Sequence, residues 1–262
     1  MTKSLRKFMF LKTIATVFLL ANLVLSTPAI SEVSANVVYG AHRGASLEHK
    51  ENTLDAFEEA LDNSKYKFIE FDVTYTKDGE KVVIHQNNIF RRPKNGAVVR
   101  DLTYEELQEK FEFHIPSYEE VMDLIAGGKP LDIEIKTTGD VEKDNELVES
   151  IIEDCEARGI LNQIMISSIS EDVVNYIEEK YPEIKTGKIY WVTLTSLLPW
   201  ENICEEVYDT PADYVLLHGH NVHNFEILME CKPEDKTLMI WYFTDEVYII
   251  QDKAGCNFWE SC

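Results

Sequence analysis

The chain has 262 residues, 45% hydrophobic and 27% charged, with Asp and Glu outnumbering Lys and Arg by 47 to 25. That length suits one domain with a sizeable core behind a short leader. The formal charge of −22 excludes nucleic acid as a natural partner, since binding it needs a basic face. It also requires any anionic substrate to meet local positive charge, from a bound cation or from Arg and Lys.

Residues 1–35 read as a secretory signal peptide. Lys3, Arg6, Lys7 and Lys12 make a basic start, Phe8 to Leu25 is largely apolar, and Val33-Ser34-Ala35 offers the small residues of a cleavage site. Lys12 and the shortness of the apolar core argue against a permanent membrane span. Residues 36–262 then form the mature domain, exported to a periplasmic or extracellular space. With the leader's four basic residues and one acid removed, the mature charge is about −25.

Within the domain, short β-branched runs alternate with stretches of helical period. The expected strands are Val37–Ala41, Phe68–Tyr75, Leu131–Lys136, Gln163–Ser168, Thr186–Val192, Ala212–Leu217, Thr237–Phe243 and a short, weak Asn257–Glu260. Helical patterns lie between them at Thr53–Asn63, Ser117–Ala126, Val141–Arg158, Glu171–Lys180, Leu194–Val207, Val222–Met229 and Asp245–Ala254. Eight such units predict an α/β fold, a (β/α)8 TIM barrel with a degenerate last strand, whose chemistry sits at the carboxyl ends of the strands. The five cysteines have no CxxC spacing. Export permits disulfides, but their pairing cannot be read from the sequence.

The carboxyl ends of two strands carry charge in an apolar setting. In "FIEFDVTYT", Glu70 and Asp72 share one face of the strand while Phe71 and Val73 share the other. Two carboxylates so placed repel, and need a proton or a cation between them; oxygen ligands suit a hard divalent cation. In "LDIEIK", Asp132, Glu134 and Lys136 alternate with apolar residues in the same way. His42 ends the first strand, and His85 ends the strand-like "KVVIH" after the Asp78-Gly79 turn. Such a pair can act as general base and general acid near neutral pH. Arg43 and Lys136 could hold an oxyanion. Together these residue types point to transfer at a phosphodiester.

At this point the sequence resembles the glycerophosphodiester phosphodiesterase family. The resemblance rests on His42-Arg43-Gly44, Glu51-Asn52-Thr53, Glu70-Phe71-Asp72-Val73, Thr76-Lys77-Asp78-Gly79, Val82-Val83-Ile84-His85, "DLTYEEL", "IPSYEEV", Ile133-Glu134-Ile135-Lys136 and Trp241 in "LMIWYF". It implies a metal-assisted barrel enzyme that hydrolyses glycerophosphodiesters to an alcohol and glycerol 3-phosphate. Carried over, it makes Glu70, Asp72 and Glu134 ligands of one divalent cation (Mg²⁺, Ca²⁺ or Mn²⁺), His42 and His85 the acid–base pair, and Arg43 and Lys136 phosphate binders. Trp191, His218, His220 and Trp241 are candidates for the substrate-pocket wall. The sequence departs from the family at Gln86, where an Asp usually follows the second histidine, and at Lys50, where a proline is usual. Two other readings stay open: a phospholipase of the sphingomyelinase D type, and a non-catalytic binding protein on the same barrel.

Overall fold

The computed structural model describes residues 37–85, 98–190, 202–219, 225–242 and 246–250. Among these residues nine strands form one sheet: β1 (Val37–His42), β2 (Phe68–Tyr75), β3 (Lys81–Val83), β4 (Leu131–Ile135), β5 (Ile164–Ser168), β6 (Lys185–Tyr190), β7 (Tyr214–His218), β8 (Thr237–Trp241) and β9 (Glu246–Ile250). Their order is β1-β9-β8-β7-β6-β5-β4-β2-β3, with β1 also paired to β2. Six parallel pairings join β1, β2, β4, β5, β6, β7 and β8, as a right-handed β/α barrel requires. β3 is a short antiparallel extension of β2.

Helices cover the outside: α1 (Leu54–Asp62), α2 (Tyr104–Lys110), α3 (Tyr118–Ile125), α4 (Val141–Ala157), α5 (Glu171–Lys180), α6 (Ile203–Tyr208) and α7 (Phe225–Glu230). Their starts follow from local chemistry. Thr53 caps α1 through Ala56 N–H, and Thr103 with Glu106 and Ser117 with Glu120 form capping boxes at α2 and α3, each cap worth about 1 kcal/mol.

Period-two alternation divides the packing into two layers. Ile69, Phe71 and Val73 of β2, with Leu131, Ile133 and Ile135 of β4, face outward into a core shared with α1, α3, α4 and α5. Val215, Leu217, Leu238 and Ile240 do the same beneath α6 and α7. Inside the barrel, Phe68, Met165, Tyr214, Leu216, Met239 and Trp241 pack together. Gly40 makes room for that filling: a Cβ there would lie 2.1 Å from the Phe68 ring.

The barrel matches the expected class, and seven of the eight expected strands lie within a few residues of their predicted ends, with Thr186–Val192 appearing as β6 to Tyr190. The last unit differs. Residues 246–250, expected within a helix from Asp245 to Ala254, form β9, antiparallel to β8. Val247 and Ile249 alternate onto the interior cluster, and a β-branched run with that period is better satisfied by pairing than by coiling. The expected strand Asn257–Glu260 lies outside the described residues, and β9 takes the place between β8 and β1 in the sheet order. α2 was not among the expected helices, although Thr103 and Glu106 carry its start signal.

Candidate active site

Inward-facing polar residues gather at the carboxyl ends of β1, β2 and β4. Parallel register sets Glu70 beside Asp132 and Asp72 beside Glu134. Carboxylate oxygens of Glu70, Asp72 and Glu134 lie within 4.8 Å of one another. Asp72 is fully buried, and Glu134 keeps 12% side-chain exposure, so the cluster opens to solvent on one side. Lys136 bridges it, 2.7 Å from Asp72 Oδ1 and hydrogen-bonded to Glu134.

The β1–α1 turn is built around this cluster. Arg43 and Asn52 both take left-handed conformations, with φ of 61° and 56°, which non-glycine residues occupy only when their surroundings enforce it. Hydrogen bonds enforce it here. Arg43 N–H donates to the Glu70 carbonyl and to Glu70 Oε2, and Asn52 N–H donates to the Arg43 carbonyl. The Asn52 side-chain amide donates to Asp72 Oδ2 at 2.7 Å. The Arg43 guanidinium contacts Glu51 at 3.0 Å and Asp72 at 3.3 Å. Gly44 is required next to it: its φ is +78°, and a Cβ would lie 2.8 Å from the Ala56 backbone.

The electrostatics follow from four carboxyl groups facing two fixed cations. Burial, then the neighbouring Asp72 charge, raises Glu70 well above the usual carboxylate range. Burial, only partly offset by Lys136, pushes Glu134 up to about 7. Burial pushes Asp132 up to about 8 against the opposing Ser167 hydrogen bond. Asp72 goes the other way: burial opposes its charge, but Lys136 and Arg43 outweigh it and hold it well below the ordinary range. The site therefore carries more acid than its own cations balance. Glu70 Oε1 is buried and has no hydrogen-bond partner among the described residues. An all-oxygen donor set with excess negative charge fits a hard divalent cation.

His42, Arg43, Glu70, His85, Asp132, Glu134 and Lys136 line one cleft that opens to solvent. His42 Nε2 lies 3.8 Å from Glu70 Oε2, and its ring meets Trp241 edge-on at 6.1 Å. The opposite wall is apolar, with Ile169, Ile189, Leu216, Trp241 and Val247.

The structure thus brings together His42, Arg43, Glu70, Asp72, His85, Glu134, Lys136 and Trp241. His218 is 1% exposed, its ring 4.5 Å from Trp241. It is not among the lining residues of the cleft, whereas Trp241, its in-register neighbour on β8, is. Trp191, His220 and Gln86 lie outside the described residues. Sequence reasoning gave Asn52 no role; Glu51-Asn52-Thr53 was visible as a motif, but not that Asn52 would fold back onto Asp72.

Comparison with known proteins gives the chain a family. The sequence profile of the glycerophosphoryl diester phosphodiesterase family matches residues 42–225. The chain is 31% identical over 217 residues to a glycerophosphodiester phosphodiesterase of Caldanaerobacter subterraneus subsp. tengcongensis, covering 77% of this chain and 83% of that one. It is 32% identical over 155 residues to one of Bacillus altitudinis, covering 55% of this chain and 63% of that relative, just under two thirds. Among solved structures, the glycerophosphodiester phosphodiesterase of Thermotoga maritima superposes with a TM-score of 0.58 at 25% identity, over 79% of this chain and 87% of that one. A phosphodiesterase of Oleispira antarctica in complex with the product sn-glycerol 3-phosphate shares the fold, with a TM-score of 0.61 at 20% identity over 77% and 83% of the two chains. By profile, relatives and barrel alike, the chain belongs to the glycerophosphoryl diester phosphodiesterase family.

Proposed function

We propose that this protein hydrolyses glycerophosphodiesters to an alcohol and sn-glycerol 3-phosphate. The observation that carries the reading is the convergence of Glu70, Asp72 and Glu134 within 4.8 Å, in the same cleft as His42, His85 and Lys136. Family membership supports it, as does the capture of sn-glycerol 3-phosphate by the Oleispira antarctica phosphodiesterase.

In this reading Glu70, Asp72 and Glu134 hold one divalent cation, Mg²⁺, Ca²⁺ or Mn²⁺. When bound, that cation supplies Lewis-acid neutralisation of a phosphate oxygen. Lys136, paired with Asp72 and Glu134, would supply positive charge to a phosphate oxygen at the edge of that cluster. Arg43 contributes positive charge from a guanidinium held rigid by Glu51 and Asp72. His42 and His85 are the acid–base pair. One imidazole takes the proton of the oxygen that attacks phosphorus, and the other gives a proton to the alkoxide as its P–O bond breaks. Trp241 walls the cleft beside His42 and excludes water from that side.

We further propose that residues 1–35 are removed on export and that the enzyme works outside the cytoplasm. The Cys204–Cys231 disulfide supports this, since such bonds persist in oxidising compartments. No helix among the described residues is long and apolar enough to cross a membrane.

The test is a panel of glycerophosphocholine, glycerophosphoethanolamine and glycerophosphoglycerol, read by an assay coupled to glycerol 3-phosphate. Release that stops with a chelator and returns with Mg²⁺, Ca²⁺ or Mn²⁺ supports the proposal. Folded protein that releases no product with any of these cations refutes it.

A further inference from the structure

The end of β4 is held by a buried acid that takes no part in the proposed chemistry. Asp144 stands in the first turns of α4, a 17-residue helix anchored in the core by Leu147, Val148 and Ile151. It is 3% exposed, and its carboxylate accepts three hydrogen bonds from the β4–α4 turn. The Thr137 hydroxyl donates to Oδ2. Thr138 donates twice to Oδ1, from its backbone N–H at 2.8 Å and from its hydroxyl at 2.7 Å. Gly139, at φ +81°, turns the chain toward α4, and its N–H donates to Thr137 Oγ1 at 3.1 Å. Burying a carboxylate costs free energy unless donors meet it, so the carboxylate and the shape of the turn stand or fall together.

We propose, on the reading given above, that Asp144 is a positioning residue for the phosphate end of the substrate, acting through Thr137 and Lys136. These two residues are consecutive, and both line the cleft. Lys136 N–H donates to the Val73 carbonyl at 3.0 Å, which ties its backbone to β2. The bond from Thr137 to Asp144 ties the next residue to α4. A lysine carries its charge on a flexible four-carbon stem, so the ammonium is placed only as well as the backbone beneath it is held. Thr137 is β-branched, and committing its hydroxyl to Asp144 and Gly139 fixes its methyl as well. The Thr137 proton is also spent on Asp144. Phosphate oxygens only accept hydrogen bonds, so the donor they meet at this edge of the cleft is Lys136. Capping of α4 does not account for the arrangement. Asp140 already caps that helix by accepting from Lys143 N–H, and the Asp144 carboxylate bonds to the turn rather than to the free N–H groups of its own helix.

Binding separates this role from a structural one. Calorimetry at saturating Ca²⁺ measures the affinity of sn-glycerol 3-phosphate for the wild type, Asp144→Ala, Thr137→Val, the double variant and Thr137→Ser. Asp144→Ala is expected to weaken glycerol 3-phosphate about 10-fold, the effect of one hydrogen bond to a charged group. Thr137→Val, which keeps the side chain's shape and removes the same bond from the other end, loses roughly 3- to 10-fold. The double variant falls no more than about 2-fold below Asp144→Ala, because the two changes share one bond. Thr137→Ser keeps the hydroxyl and stays within about 3-fold of the wild type. Ca²⁺ affinity stays within about 3-fold throughout, since Glu70, Asp72 and Glu134 are held by the register of β2 and β4. Unchanged glycerol 3-phosphate affinity in Thr137→Val, additive losses in the double variant, Thr137→Ser as weak as Thr137→Val, or a parallel fall in Ca²⁺ affinity overturns the assignment. A metal-loaded wild type that releases no glycerol 3-phosphate from any diester defeats the underlying reading instead.

Discussion

Glu134→Gln is a substitution whose two effects run in opposite directions. Glu134 lies in the carboxylate cluster and is hydrogen-bonded to Lys136. At 4 Å and an effective dielectric constant near 20, each unit charge contributes about 4 kcal/mol of gross attraction to a monovalent partner and about twice that to a divalent one. Gln keeps a coordinating oxygen, and desolvation of the ion and the carboxylate offsets much of the gross attraction, so the net loss is about 3 kcal/mol. That is roughly a 100-fold weaker Kd for Ca²⁺ or Mg²⁺. Stability of the metal-free protein responds otherwise. The folded state holds the Glu134 proton up to about pH 7, whereas the unfolded chain releases it near 4.3. Between those values the folded state binds more protons, so stability falls as pH rises through the window, by an amount on the order of 3 kcal/mol. Gln removes that pH-dependent contribution. The wild-type melting temperature without metal should therefore drop between pH 5 and pH 8 more steeply than that of the variant. Calorimetric titration and thermal melts at the two pH values check both halves. Unchanged cation affinity in the variant, or parallel pH profiles, would refute the reasoning.

Three further outcomes are expected. His42→Ala should lower kcat by about 100- to 10,000-fold, the usual weight of one acid–base group, while calorimetry shows Ca²⁺ affinity within a few-fold of the wild type; a large loss of affinity would make the imidazole a ligand. Asn52→Gly should cost about 1–3 kcal/mol through the lost Asp72 hydrogen bond, and Asn52→Ala about 1 kcal/mol more because φ is +56°; equal urea midpoints for the two variants would contradict the strain argument. The Cys204–Cys231 disulfide closes a separation of 27 residues, worth about 3–4 kcal/mol, so Cys204→Ser should lower the melting temperature by roughly 10 °C, and an unchanged melt would show that this end of the barrel is held by packing alone.

The sequence made some parts of this molecule legible and hid others for physical reasons. Phe68–Tyr75 was readable to the residue because both of its faces are buried, and a charged pair at period two in such a strand has only the barrel interior to face. Glu171–Lys180 was equally plain, since Ser170 caps it and its apolar positions keep a helical period. Residues 246–250 were not: Glu246 and the Val-Tyr-Ile-Ile run fit either period over so short a span, and pairing with β8 decided the outcome. The metal-ligating candidates came from alternation within single strands. What joins them came from tertiary contact. The bond from Asn52 to Asp72 spans 20 residues and depends on two left-handed backbone conformations. His218 is expected at the wall because it follows the strand Ala212–Leu217 on the catalytic face; in the structure it is instead the last residue of β7, packed against Trp241. The disulfide likewise required the positions of α6 and α7, since five cysteines allow many pairings.

The claim on which the account turns is that Glu70, Asp72 and Glu134 share one divalent cation beside His42. Crystals soaked in Mn²⁺ and measured at a wavelength where manganese scatters anomalously test it directly. The account predicts one strong anomalous peak within bonding distance of oxygens from all three carboxylates, absent in Glu134→Gln at the same concentration. A peak that leaves those oxygens uncontacted, or none there from active crystals, would contradict it.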